Sequence, residues 1–214
     1  MDSYYIVLDT ETTNSLDDPI AYDIGFAVIN ADGKVIEAHS YVVAETFLDE
    51  ELMSSAYFIE KIPHYWEEIA NGKRELRRLY TIRKRLAEVC SIYGINKIIA
   101  HNARFDYRSC NLTQRIITCS KWRYFFPYEV EIWDSLKMAR ECFGKDEDYI
   151  KFCKENDFMV NHRPRLTAEI LYRYLTNNLE FEEAHTGLED VMIEKEIFCE
   201  CLRRNPHIDG RLWE

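Results

Sequence analysis

The chain has 214 residues and carries 27 basic against 38 acidic side chains, a formal net charge of −11, which argues against a polyanion partner if the charge is evenly spread. It is not: residues 1–72 hold 2 basic and 15 acidic groups, 73–128 hold 13 and 3, and 129–214 hold 12 and 20. A basic middle between acidic flanks is what a polyanion contact leaves in a sequence, and also what a solvated helix face leaves. Hydrophobic content of 47% with only 7 Gly and 5 Pro excludes a disordered chain.

No repeat, low-complexity tract or linker marks a boundary, so one domain over 1–214 is expected, long enough for a single α/β core. The first thirty residues lack a basic start followed by a long apolar run, so a cytoplasmic protein without a membrane span is expected. Seven cysteines, odd in number, irregularly spaced and without a C-x-x-C pair, read as free thiols and not as disulfides or a zinc site.

Tyr4 to Leu8 is a β-branched and aromatic run that reads as a first strand buried on both sides. Ala21–Ile29 and Val35–Val43 are two more, joined across Asp32-Gly33, a strong hairpin signal. From Glu75 to Tyr93 the residues Leu76, Leu79, Ile82, Leu86, Val89 and Tyr93 trace the stripe of an amphipathic helix. Its other face carries Arg74, Arg77, Arg78, Lys84 and Arg85, which suit solvent and a phosphate backbone equally. Gly94 stops this helix, Lys97–Ala100 is a short strand and Phe105–Thr118 a helix. A strand at Glu131–Trp133 leads into a helix over Ser135–Phe143 with Asp134 as N-cap. Segment 144–163 has no clear pattern, and Leu166–Leu175 and Thr186–Arg203 close the chain as helices. This order predicts an α/β fold with a mixed five-stranded sheet, an antiparallel three-strand meander plus parallel strands, and helices on both faces.

Three clusters carry chemistry. Asp9 and Glu11, two apart at the end of the first strand, project from one face about 7 Å apart, either as solvated end-of-strand acids or as a pair whose repulsion calls for a cation between them. Asp106 opens the helix after the fourth strand, either as a capping group or, with Asn102 as N-cap, as a free carboxylate in the first turn. Thr186-x-x-Glu189 is a capping-box pattern, which makes Glu189 structural, leaves His185 just outside the helix and fixes Asp190 in its first turn. In one continuous helix His185 and Asp190 would lie about 140° apart, a conflict that the position of His185 outside the helix removes.

Together the clusters D-x-E, H-N-x-x-F-D and H-x-x-x-x-D, spread over residues 9–190, resemble the DEDDh, or DnaQ-like, 3′-5′ exonucleases. The resemblance implies a ribonuclease H-like fold and two-metal hydrolysis of a terminal phosphodiester of single-stranded or 3′-ended DNA or RNA, releasing nucleoside 5′-monophosphates. By position, Asp9, Glu11, Asp106 and Asp190 match the metal-binding carboxylates and His185 the general base. Hard oxygen ligands suit Mg²⁺ or Mn²⁺, and two ions about 3.5–4 Å apart serve both the attacking water and the leaving oxygen. Thr10, Thr12, His101, Asn102 and Phe105 match the motifs that line the terminal nucleotide, although the residues themselves favour a core place for Phe105. Arg104 and Arg108, four apart on one helix, could reach phosphates. Trp66, Trp122 and Tyr124 are read as core in preference to base-stacking residues. The resemblance leaves open a homodimer and a proofreading or repair role beside a polymerase or other partner; a non-catalytic relative is disfavoured because all five catalytic positions are filled.

Overall fold

The structure is a computed structural model that describes residues 3–14 and 18–213. Strand β1 (Tyr4–Thr13) pairs antiparallel with β2 (Ile20–Asn30), and β2 antiparallel with β3 (Val35–Val43). Two short helices, α1 (Ala44–Phe47) and α2 (Glu50–Met53), a 3-10 turn at Ile59–Lys61 and α3 (Ile62–Ala70) lead to β4 (Glu75–Arg77) and α4 (Leu79–Tyr93). Then follow β5 (Lys97–Ala100), α5 (Arg104–Ile117), β6 (Glu131–Asp134), α6 (Ser135–Phe143) and α7 (Glu147–Glu155). The hairpin β7 (Met159–Val160) and β8 (Arg163–Pro164) precedes α8 (Ala168–Thr176) and α9 (Gly187–Arg204).

The main sheet runs β4-β3-β2-β1-β5-β6, with β5 parallel to β1 and β6 parallel to β5. Period-two alternation sends Ile6, Leu8, Phe26 and Val28 to a core shared with α4 and α5. Val7, Ala27 and Ile29 go to the opposite core, shared with α6 to α9. The mixed sheet with helices on both faces is the fold class the sequence implies, with six strands in place of five.

The additional strand comes from residues assigned to a helix. Glu75–Arg77 lies parallel along β3, in register Tyr41↔Glu75 to Val43↔Arg77, and α4 begins only at Leu79, whose N–H donates to Glu45 Oε2 at 2.9 Å. Leu76 falls on the helical stripe by spacing but packs beside Tyr22, Val42 and Tyr65 as a strand residue. In segment 144–163 the structure forms α7, capped by Asp146, and the β7–β8 hairpin. Asp134 caps α6 as expected, accepting from Leu136 N–H at 3.0 Å, and Gly94 ends α4 at φ 62°. Five cysteines are buried and no described cysteine is in a disulfide; no described helix is long and apolar enough to cross a membrane.

One contact fixes where α9 begins. A Cβ on Gly25 would lie 2.2 Å from the backbone nitrogen of Leu188, so β2 and the first turn of α9 touch backbone to backbone. Only glycine permits that approach.

Candidate active site

β1 runs on through Thr13 and carries Asp9 and Glu11 on the face toward α9. Thr10 points the other way: its backbone N–H and its hydroxyl both donate to Asp106 Oδ1, at 3.1 and 2.8 Å. Thr10 is thus the joint between β1 and α5 and does not line the cavity. A register shift between Glu11 and Thr12 returns Thr12 to the open side. Asn102 is not the N-cap of α5; it takes a left-handed backbone (φ 65°), Ala103 occupies the cap position, and Asp106 lies in the first turn.

Asp190 enters from the first turn of α9. Its Oδ2 accepts the Thr186 N–H at 3.0 Å, while its Oδ1 is buried with no hydrogen-bond partner. Ligand atoms of Glu11, His185 and Asp190 all lie within 4.8 Å of one another. The crowding shows in the acidities. Burial, then Glu194, Asp106, Glu11 and Asp190, push Asp9 well above the carboxylate range. Burial, then the charges of Asp23 and Asp190, push Glu11 up to about 9. Burial lifts Asp190 to about 8 and Asp106 to about 7. These acids cannot all ionise together without a cation. A buried carboxylate oxygen without a partner, among hard oxygen donors and one imidazole, fits a divalent metal.

His185 sits just before α9 with a left-handed backbone (φ 49°). Its ring stacks on Phe58 at 4.5 Å with 13° between planes, and the Lys61 ammonium lies over the Phe58 ring at 4.7 Å while donating to the Ala184 carbonyl. Burial and then Lys61 lower the His185 pKa, keeping the imidazole neutral and able to accept a proton.

The start of α9 is held by a buried network. Asp23 Oδ2 accepts the Gly187 N–H at 2.9 Å, Tyr65 OH at 2.6 Å and Arg74 Nη1 at 2.8 Å. Arg74 also binds Glu68 and, through Nη2 at 2.7 Å, Glu189. Arg74 is therefore no solvated helix residue: it is 2% exposed. Thr186 is the N-cap, but its bonds differ from a capping box. The Thr186 hydroxyl donates to Glu189 at 2.8 Å, and its N–H goes to Asp190. Glu189 is structural as expected; against its burial, Lys73, Thr186 and Arg74 hold it down at about 2.

A cavity of about 1190 Å³ opens over the carboxylates. Asp9, Glu11, Thr12, His101, Asn102, Phe105, His185 and Asp190 all line it, with Asp106 and Thr10 behind. Phe105 is half-buried at this wall and belongs to neither core. His101 uses both ring nitrogens on the protein, Nδ1 with Ser135 Oγ at 3.0 Å and Nε2 with the Leu166 carbonyl at 2.8 Å, and so ties the wall together. The basic segment 73–128 contributes no cation to this lining; Arg140, Arg163 and Arg165 do. Several of its side chains are paired elsewhere, Arg77 with Glu75, Lys84 with Glu88 and Arg85 with Glu37.

Sequence reasoning missed Glu194, whose buried carboxylate accepts the His101 N–H at 3.1 Å inside the acid cluster. Its place four residues after Asp190 on one helix face was the available signal. Tyr57, Phe58, Lys61 and the three lining arginines carried none.

No family model matches the chain, and no curated protein does. Solved structures do. Exonuclease X in complex with 5′-overhanging duplex DNA matches 97% of this chain and 96% of its own at 16% identity, with a TM-score of 0.50. The zinc-bound form of the E. coli exonuclease I complex with single-stranded DNA matches at 15% identity and a TM-score of 0.56, over 97% of this chain and 42% of that one. E. coli exonuclease I with an oligonucleotide matches at 16% and 0.53, over 95% and 41%. The chain spans about two-fifths of the exonuclease I chains it matches. Its fold is the one these exonucleases share, the ribonuclease H-like arrangement that the sequence motifs imply.

Proposed function

We propose that this chain is a 3′-5′ exonuclease that releases nucleoside 5′-monophosphates from single-stranded or 3′-ended DNA or RNA. The observation that carries the reading is convergence: Asp9, Glu11, Asp190 and His185, from segments up to 181 residues apart in sequence, line one cavity, with Asp106 directly behind Asp9 and a buried Asp190 oxygen left without a partner. Asp9, Glu11, Asp106 and Asp190 would hold two divalent cations, Mg²⁺ or Mn²⁺, which when bound supply the positive charge that offsets the carboxylates and favours an anionic transition state.

His185, neutral and stacked in place, takes the proton of the attacking water. Phe105 and Tyr57 offer ring surface to the terminal base, and Arg140, Arg163 and Arg165 offer charge to the phosphates on the far wall. His101 holds the wall that they sit on.

End-labelled DNA and RNA, single- and double-stranded, incubated with Mg²⁺ or Mn²⁺, test polarity, sugar and strandedness together. Stepwise loss from the 3′ end is expected, abolished by excess EDTA and by Asp9→Ala or His185→Ala. Hydrolysis that persists in EDTA, or in either variant, would overturn the assignment.

A further inference from the structure

We propose that the outer face of α5, together with residues 118–128 folded back on it, is a track for single-stranded nucleic acid that leads away from the cavity. Arg104, Arg108 and Arg115 stand at i, i+4 and i+11, which places them within about 40° on one face of the helix. The one carboxylate of α5, Asp106, is buried on the opposite side, and from residue 107 to 128 there is no acidic residue. Beyond α5, Lys121 and Arg123 continue the charge. Arg115, Lys121 and Arg123 have no carboxylate partner among the described residues, in contrast to the paired cations of α4.

Aromatic side chains interleave with these cations and face solvent. Trp122 is 68% exposed, Tyr124 60% and Tyr128 fully, so the core place read for Trp122 and Tyr124 from sequence is wrong. The backbone at Trp122 and Tyr124 is nonetheless held. Gln114 Nε2 donates to the Trp122 carbonyl at 3.0 Å, Arg83 Nε to the Tyr124 carbonyl at 3.0 Å, and the Phe125 N–H to Asn111 Oδ1 at 2.7 Å. Phe125 and Phe126 are buried in the core beneath, and the Arg83 guanidinium lies 5.6 Å from the centre of the Trp122 ring. A rigid segment that buries two rings and presents three others is a stacking platform already paid for in ordering entropy.

Position gives the direction. α5 starts with Arg104, next to Phe105 on the cavity wall, and Arg115 lies eleven residues on from Arg104, about 17 Å along the axis at about 1.5 Å per residue. At about 3.4 Å per stacked nucleotide that is on the order of five nucleotides from the catalytic end. Placing the strand's 3′ end in the cavity rests on the exonuclease reading; binding to the track does not.

The test uses the full chain carrying Asp9→Ala and fluorescent DNA and RNA oligomers of about three and about fifteen nucleotides, read by anisotropy across a salt series. Two variants are added, Trp122→Ala with Tyr124→Ala, and Arg115→Gln with Arg123→Gln, each checked for an unchanged thermal midpoint. Both should weaken the long oligomers tenfold or more and leave the short ones alone, and the arginine pair should lower the salt slope by about 1 to 2. In the otherwise wild-type enzyme both should leave turnover of thymidine 5′-monophosphate 4-nitrophenyl ester unchanged, since that substrate fills only the cavity. Long-oligomer affinity unchanged in both variants overturns the track and makes the aromatic surface one for a protein. Failure to hydrolyse ester or strand strikes the exonuclease reading alone.

Discussion

A guanidinium taken out of water must be met by acids, and Arg74 is met by three, Asp23, Glu68 and Glu189, with Ser40 Oγ accepting a further bond at 3.0 Å. Removing it strands two buried carboxylates beside the first turn of α9. Arg74→Leu is expected to cost about 3–5 kcal/mol of stability, read as a fall in the thermal midpoint, with activity lost because Asp190 and His185 flank the same turn. Arg74 also shows why some residues stay illegible in sequence. Two of its acids, Asp23 and Glu189, lie 51 and 115 positions away, and nothing local separates it from the solvated arginines that follow. The candidate set was legible because each member sits in a short motif whose spacing fixes its direction: two acids two apart on a strand, one in the first turn of a helix, one past a helix cap. Phe58 sits in no such motif, and only the fold brings it to the cavity; Glu194 carried only the weaker signal of a place four residues after Asp190 on one helix.

At the scale of elements, the site is a meeting of ends: the end of β1, the starts of α5 and α9, and the 3-10 turn that carries Lys61. The β2–α9 contact allows no side chain at position 25. Gly25→Ala is expected to push α9 off the sheet, costing about 1–3 kcal/mol and displacing Asp190, so that both the thermal midpoint and turnover fall. The Phe58 ring is the other brace. Phe58→Leu should lower kcat about tenfold, about 1.4 kcal/mol, with a smaller change in KM, and Phe58→Tyr should restore most of it. The same loss of stacking is visible without substrate: the His185 ring protons should move downfield by NMR in Phe58→Leu. A KM effect with kcat and ring shifts unchanged would mean that Phe58 serves the substrate and not the histidine. Among the elements themselves, strands and helices with local caps were read from sequence to within a few residues. The edge strand β4 was not, because Leu76 and Leu79 satisfy a helix stripe and a strand-then-cap arrangement alike, and only pairing with β3 decides.

The whole molecule carries its acidity as stored repulsion. Glu11, Asp190 and Asp106, at about 9, 8 and 7 in the fold, stand above the ordinary carboxylate value of about 4. For acids raised on folding, the native state holds more protons than the unfolded one, so the stability they contribute is fully present below about pH 4 and is lost as pH rises through their folded values. In chelator the thermal midpoint should therefore fall between about pH 5 and about pH 9, and saturating Mg²⁺ or Mn²⁺ should remove most of that slope. A midpoint that stays flat in chelator would mean that the cluster is not strained without metal.

Hydrogen exchange should separate the parts of this site in time. β1 is bonded to β2 along its whole length and to β5 at Ile6 and Val7, so its amides up to Asp9 should be released only when the sheet itself opens, whereas β4 pairs with β3 for three residues. The acid pair thus rides on a strand of the central sheet, and His185 on a loop segment held by the Phe58 ring, by Lys61 and by backbone bonds to Asp190 at the start of α9. Gentle heating should then withdraw the base while the acids remain in register, and cooling should return it: inactivation that reverses without refolding, ahead of any change in the far-ultraviolet signal of the sheet.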